Sequence, residues 1–469
     1  MNETENLPRS IADLGAAFRE RRLSPVEVVE TLLERIETVD KRLNAFITVL
    51  SERALEEAER AEKEMLAGEY RGPLHGVPVG IKDLIYMKGV RTTMGSAFFK
   101  DYVPDSSATV VSKLEEAGVI IIGKTNTHEF AYGPTGDRSY FGPTRNPHDP
   151  SRISGGSSGG SGAAVAAGLC YAALGSDTAA SVRVPAALCG TVGMKPTFGR
   201  VSKSGVFPLA WTLDHVGPLT RTVADNTLLL NILARYDAQD PHCANRPVED
   251  FARGLRHPVR DGSVGVPANH YFEHVEVEVE EKVREAVEVF RSLGAEVREV
   301  EIPSLPETLK AQRVILAAEA YAIHEERLES EPEKFGDEVQ ERIRDGEGLK
   351  AHRYATAQQV TKRRSLEEFE RVLREVDVIL TPTVPVTATE IGQREVEIGD
   401  HKEPVFSALT RLTGPTNLNG LPSLSVPCGC TRLGLPVGLQ LIGRFFDEAT
   451  IYNYGHAYAT ATGESHGTS

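Results

Sequence analysis

The sequence predicts an α/β protein with a central mixed β-sheet covered by helices on both faces. Two observations predict it. From residue 72 onward, strand-sized apolar runs alternate with helix-length periodic segments, the order that favours a sheet with helices on either side. Residues 1–68 carry helical patterning instead, and are expected to form N-terminal helices packed on the core. There is no internal repeat, and only the polar, proline-containing stretch 238–262 resembles a linker, so 1–469 is expected to form one domain.

The elements follow in order. Ser24-Pro25-Val26-Glu27 joins an N-cap serine, a proline at the first helical position and a glutamate three residues past the cap. Val28, Val29, Leu32, Leu33 and Ile36 then recur at helical spacing. A second helix, 51–67, is charged on most faces and is expected on the surface. GPLHGVPVGIKDLI (72–85) suits a buried strand with tight entry turns, followed by a helix near 107–117 and the strand VIIIG at 119–123. Later come SVGVP (263–267), a helix near 275–293 and AEVREVEIP (295–303). Long helices are expected over 305–375, then the strands VDVILTPTVP, SLSVPC and GLQLIG and a last helix.

The composition bounds the class. With 40% apolar and 25% charged residues over 469 positions, the chain can bury a large core without disulfide or metal staples. A net charge of −15 argues against a nucleic-acid or anionic-membrane binder. The spacing of Cys170, Cys189, Cys243, Cys428 and Cys430 fits neither a disulfide framework nor a zinc site, so reduced buried thiols and no metal are expected. MNETENLPRS lacks the basic-then-apolar order of a secretory signal, and the longest near-apolar run, 163–175, is too short to span a bilayer. A cytoplasmic soluble protein is expected.

The stretch SRISGGSSGGSGAAVAAGL (151–169) admits three readings. A flexible linker would sit in polar, unpatterned sequence, whereas this one runs into an alanine-rich segment suited to close helix packing. A phosphate cradle would need Gly-Lys-Ser/Thr after the glycines, and no lysine is there. A catalytic wall takes two forms. Gly155-Gly156-Ser157-Ser158-Gly159 matches the nucleophile elbow of α/β-hydrolase esterases, with Ser157 attacking and a later histidine such as His324, His352 or His456 as base. Alternatively the base is Lys82, at the end of the apolar run VPVGI, unless its head lies in water or pairs with Asp83. A second serine, Ser181, sits in the small-residue run GSDTAASVRVPA (175–186).

The order KD…GGSSGGS…GSDT..S.R.P..CG…KPT.GRV resembles the amidase signature family of Ser-Ser-Lys hydrolases, with Ser181 lying 24 positions after Ser157 as in that family. LHGVPVGIKDL (74–84), GKTNTHEFAYG (123–133), SYFGPTRNP (139–147), LDHVGPLTRTVAD (213–225) and LTPTVPVTA (380–388) also look like family segments, so the likeness covers nearly the whole chain. It implies the amidase signature fold, with Ser181 as nucleophile, Ser157 as bridging serine and Lys82 as base. The oxyanion would be held by backbone N–H groups of Thr178, Ala179, Ala180 and Ser181. A cis peptide is implied at Gly156–Ser157. Ala179-Ala180 stand where members usually carry Gly-Gly, which would strain the turn if either position had positive φ. Ser158 and Ser161 are expected to be hydrogen-bonding supports, and Arg183 to pair within the core.

The resemblance further implies hydrolysis of a linear carboxylic amide through a seryl acyl-enzyme, with esters and carbamates (urethanes) open to the same route. No organic cofactor is implied. Tyr132, Gly133 and Phe207 are expected pocket walls, and 238–400 is expected to contribute a helical side of the pocket. The partner expected is a small amide or carbamate, not nucleic acid or membrane, with room for a homodimer. Two further readings stand: the glutaminase A subunit of a glutamyl-tRNA amidotransferase, and a silent scaffold of the same fold. Residues 349–373, LKAHRYATAQQVTKRRSLEEFERVL, lack the tyrosine-rich GYYDAYY-like helix of those subunits, so a free-standing amidase is expected.

Overall fold

The computed structural model describes residues 7–463. Its strands are β1 (Phe46–Val49), β2 (Pro78–Lys82), β3 (Ile120–Thr125), β4 (Ala172–Asp177), β5 (Val192–Lys195), β6 (His215–Thr220), β7 (Ser263–Pro267), β8 (Glu296–Val300), β9 (Val378–Pro382), β10 (Glu395–Ile398), β11 (His401–Pro404), β12 (Ser423–Cys430) and β13 (Pro436–Ile442). Eleven of them form one sheet in the order β1-β3-β2-β4-β6-β5-β12-β13-β9-β7-β8, while β10 and β11 pair as a separate hairpin. The sheet is mixed. β2 runs parallel to β3 and β4, and β7 runs parallel to β8 and β9. The other neighbours within the sheet are antiparallel.

The first long helix, Pro25–Leu43, starts as its sequence dictates. Glu27 N–H donates to Ser24 Oγ at 3.1 Å and Ser24 N–H donates to the Glu27 carboxylate at 2.8 Å, closing the capping box. Val28, Val29, Leu32 and Ile36 are buried, and Leu33 is half-buried.

Three expectations need correction. The helix Ser51–Leu66 is not a surface helix on all sides, because Ala54, Ala58 and Ala61 are buried. Their small side chains let it approach β3, and the buried Glu57 accepts from Ile121 N–H at 3.2 Å. The alanine-rich 163–175 is not one helical segment. The helix Gly159–Ala166 ends there, and the chain turns into β4. The N-terminal region also contains a strand, β1, not helices alone. The stretch 238–262 interrupts nothing in the sheet, which draws strands from both sides of it. Among the described residues no helix is long and apolar enough to cross a membrane, and none of the five cysteines is in a disulfide.

The middle of the sheet carries the site. Every residue of β2 is buried, and full burial of Val79 and Ile81 contributes about 2 kcal/mol each. With neighbours on both edges, β2 ends at Lys82, where the Leu84 and Ile85 N–H groups fold back on the Lys82 carbonyl at 2.8 and 3.0 Å. The lysine head is thereby delivered at the C-terminal end of a buried strand.

Candidate active site

Lys82 is fully buried, and its Nζ donates to Ser157 Oγ at 2.6 Å and to Ser176 Oγ at 2.8 Å. Its head is neither in water nor on Asp83, because Asp83 belongs to a second buried group. Lys124 Nζ lies 3.5 Å from the Asp83 carboxylate, which also accepts from Thr93 N–H at 2.8 Å. Burial pushes the Lys82 ammonium down to about 7, against the opposing pull of the Asp177 and Asp214 carboxylates. A lysine in that range exchanges its proton near neutral pH.

Ser157 reaches Lys82 from the other side of a tight bend. The Gly156–Ser157 peptide is cis. Gly155 has φ of +78°, and a Cβ on Gly156 would lie 2.5 Å from Gly136 N, so neither position accepts a side chain. The bend is not a strand-to-helix elbow, since no strand leads into Ser157. Nor does a histidine serve it. His324 packs among Phe130, Phe207 and Phe335, and His352 is exposed. Half-buried His456 lies on the last helix, Glu448–Thr462, and has no hydrogen bond to Ser157. The supporting serines behave as expected. Ser158 Oγ donates to Ser176 O and accepts from Ser176 N–H, each at 3.2 Å, and Ser161 Oγ donates to Leu174 O at 2.9 Å.

Ser181 lies on the turn between β4 and the helix Arg183–Cys189. It is 6% exposed where Ser157 is wholly buried, so it is the serine nearer solvent. Ser158 N–H donates to Ser181 O at 3.2 Å and ties the two loops together. Among the described residues, no hydrogen bond joins the two hydroxyls of Ser157 and Ser181 directly, and the N–H groups of Ala179, Ala180 and Ser181 have no protein acceptor. Neither Ala179 nor Ala180 has positive φ, so alanine fits this turn without backbone strain.

The turn is braced from below by a group that sequence reading identified only in part. Arg183 donates to both carboxylate oxygens of Asp177 at 3.0 and 2.9 Å, to Gln440 at 2.8 Å, to Asn417 at 2.6 Å and to Ala179 O at 3.3 Å. Both partners of the Arg183–Asp177 pair are fully buried. Burial opposes the charge of Asp177, but the Arg183 guanidinium overrides it and holds the carboxyl well below its usual range. Ser176 and Asp177 both stand within the run GSDTAAS, where nothing but the fold distinguishes them from turn residues. Thr178 Oγ1 donates to Asp214 at 2.6 Å, which fixes the other edge of the turn.

A cavity of about 300 Å³ opens beside this group, with Ser176 in its wall together with Phe207, Leu209, Trp211, Asp214 and Lys203. Phe207, expected as a pocket wall, lines this cavity. Tyr132 is not in this cavity. It is buried, donates its hydroxyl to Arg342 O at 3.2 Å and lines a separate cavity of about 780 Å³. Gly133 lines neither cavity and packs under the His128 ring, where a Cβ would lie 2.2 Å from that ring. Of the region 238–400, the loop residues Gln239, Asp240 and His242 reach the smaller cavity, and helical residues such as Arg313 and Arg342 line the larger one. Among the described residues no group of three or more His, Cys, Asp or Glu is arranged to hold a metal ion.

The mixed sheet thus presents a buried lysine to a serine on a glycine-rich bend. The chain belongs to the amidase family, whose model matches residues 27–452. It is 40% identical over 477 residues to the A subunit of glutamyl-tRNA(Gln) amidotransferase from Geobacter sp. (strain M21), covering 97% of each chain. Among solved structures it resembles, with a TM-score of 0.93 and 33% identity over 97% of this chain and 98% of the other, a protein from a vestigial complex that bears on the origins of an s-triazine catabolic enzyme. It also resembles the A subunit of the glutamyl-tRNA(Gln) amidotransferase of Thermotoga maritima, with a TM-score of 0.75 and 37% identity over 93% of each chain. The expected leaning toward free-standing amidases is not what the sequence relatives favour. A second relative, from Geobacter metallireducens and 41% identical over 97% of each chain, is likewise a glutamyl-tRNA(Gln) amidotransferase A subunit.

Proposed function

We propose that the protein hydrolyses a carboxamide through an acyl-enzyme on Ser181, with Lys82 as base and Ser157 as the bridge. The observation that carries this reading is the buried Lys82 Nζ, 2.6 Å from Ser157 Oγ. The neutral amine takes the Ser157 proton as Ser157 takes that of Ser181, whose oxygen attacks the amide carbon. The Ser157–Ser181 link closes when the Ser181 rotor turns inward with substrate bound, since catalytic hydrogen bonds tighten in the complex. The N–H groups of the turn Thr178–Ser181 receive the oxyanion. The relay run backwards protonates the departing nitrogen, and water then releases the acid by the same path.

The amide we favour is the side-chain amide of glutamine, cleaved by this chain in the role of an amidotransferase's A subunit, because the relatives that span 97% of it carry that description. A free-standing amidase is the second reading. It is favoured by the helices over 351–373, which carry Tyr354 and Gln358 on Thr212 and Glu319 in place of a tyrosine-rich face. Esters and urethanes fit the same acyl-enzyme route.

Two measurements test these readings. A sulfonyl fluoride should modify Ser181, and modification of Ser157 alone would return the elbow mechanism. Ammonia release from glutamine that appears only when a partner protein is added supports the amidotransferase role. Partner-independent hydrolysis of simple amides, with no release from glutamine, supports the free-standing enzyme.

A further inference from the structure

We propose that Lys203 selects the substrate, and that the amides this site takes carry a carboxylate on the acyl side. The inference rests on the Ser181 reading above and names the residue that reads the acyl group. Lys203 is part of the wall of the 300 Å³ cavity that also reaches Ser176, the second partner of Lys82. Its Nζ donates to Trp211 O at 2.6 Å and stands 4.4 Å from the centre of the Phe198 ring. An ammonium carries three N–H donors, so one carbonyl and one aromatic face leave it short of acceptors.

The carboxylates around it are committed elsewhere. Asp214 accepts from Thr178 Oγ1 at 2.6 Å and from the N–H groups of Leu209 and Ala210 at 2.9 and 3.1 Å. Asp240 accepts from the N–H groups of Lys203 and His242, at 2.8 and 2.9 Å. Glu319 accepts from Thr212 at 2.6 and 3.0 Å and from Tyr354 at 2.7 Å. These acids hold the loops that shape the wall, and their field partly offsets the burial that lowers the Lys203 ammonium. Among the described residues none forms an ion pair with Lys203. Lys203 is half-buried, so water completes it in the free protein and a carboxylate on the acyl side can displace that water for a charge-assisted hydrogen bond. The rest of the wall, Phe207, Leu209 and Trp211, suits the methylene chain between that anion and the scissile carbonyl.

The test compares succinamate with butyramide, which differ by a carboxylate in place of a methyl group, on the full-length protein and on Lys203→Met and Lys203→Arg. The expected result is a wild-type preference for succinamate of about ten- to a hundredfold in kcat/KM, the worth of a hydrogen bond to a charged group. In Lys203→Met that ratio collapses through KM, and in Lys203→Arg most of it returns, which a merely structural role would not produce. A wild type that hydrolyses both equally, or a Lys203→Met variant that lowers both alike, overturns the role of Lys203 and leaves the Ser181 reading standing. Labelling of Ser181 by the sulfonyl fluoride without cleavage of either amide, both alone and with the partner protein of the amidotransferase reading added, overturns the carboxylate class. Cleavage of neither under both conditions and no label refutes both readings.

Discussion

A neutral lysine at the head of the relay predicts an acid limb near pH 7 in every step that needs the Ser181 oxygen as nucleophile. Moving Lys82 from 10.5 to about 7 corresponds to a net cost on the order of 5 kcal/mol against its ammonium form, burial exceeding the pull of Asp177 and Asp214 by that amount. With that value, about one lysine in ten is neutral at pH 6 and about nine in ten at pH 8, so the rate should rise about tenfold across that interval and then level off. An ordinary lysine would give a rate climbing about tenfold per pH unit to beyond pH 9, with no plateau. The assay is the second-order rate constant for sulfonyl fluoride modification of Ser181 between pH 5.5 and 10, corrected for hydrolysis of the reagent. Fluoride departs in place of an amine, so modification avoids the step that protonates a leaving nitrogen and reports on attack. The limb must also vanish in Lys82→Met. A log-linear rise continuing through pH 9, or an unchanged limb in that variant, refutes the assignment of Lys82 as base.

Other consequences can be checked directly. Lys82→Ala should lower turnover by about 10²- to 10⁴-fold with little change in melting temperature, and near-normal activity would contradict the relay. Arg183→Met leaves the buried Asp177 carboxylate unpaired and should cost about 3–5 kcal/mol in urea unfolding; a loss below about 1 kcal/mol would mean the turn is held by other groups. Gly156→Ala places a Cβ 2.5 Å from Gly136 N and should displace Ser157, whereas Gly254→Ala meets nothing within 4 Å and should be neutral. Comparable activity and solubility of the two variants would show that the bend tolerates a side chain.

The sequence made the motif-bearing parts of this molecule legible and hid those whose meaning depends on a distant partner. Lys82 stood out because a lysine closing the run VPVGI needs an explanation, and Ser157 because glycines crowd it. Ser176 did not stand out, since a serine beside an aspartate reads as a turn until Lys82 is found 2.8 Å away. β4 reads AALGSD and β6 reads HVGPLT. Alanine, glycine and proline are poor strand formers on their own, so these two strands exist because β2 and β5 lie beside them. Glu57 made its helix look exposed, because nothing local says that its carboxylate caps Ile121 N–H in β3. Tyr132 lies close in sequence to Ala131, which does line the smaller cavity, yet its ring turns to the other side of the loop. Positive φ at Phe130 and Ala131 changes the direction of the chain there, and neither residue type announces it.

The placement of charge explains why the turn at Ser181 can do without glycines. A loop that must hold several N–H groups toward one point can be rigid through its own residues or through what grips its ends. Here the grip is external. Arg183 holds Asp177 before the turn and Ala179 O within it, Asn417 donates to the Asp177 carbonyl at 2.9 Å, and Thr178 is pinned to Asp214. With both ends fixed, Ala179 and Ala180 keep ordinary backbone angles while their N–H groups stay free of protein acceptors. On the proposed mechanism, that is the condition for oxyanion stabilisation, because donors already in place need no reorganisation when charge develops. The same arrangement serves the base. Asp177 is committed to Arg183 and Asp214 to backbone donors, so neither forms an ion pair with Lys82. A direct carboxylate partner would restore the ammonium and, on the proposed mechanism, remove the base; with both acids committed elsewhere, their pull on Lys82 is weaker than the burial that brings it down to about 7.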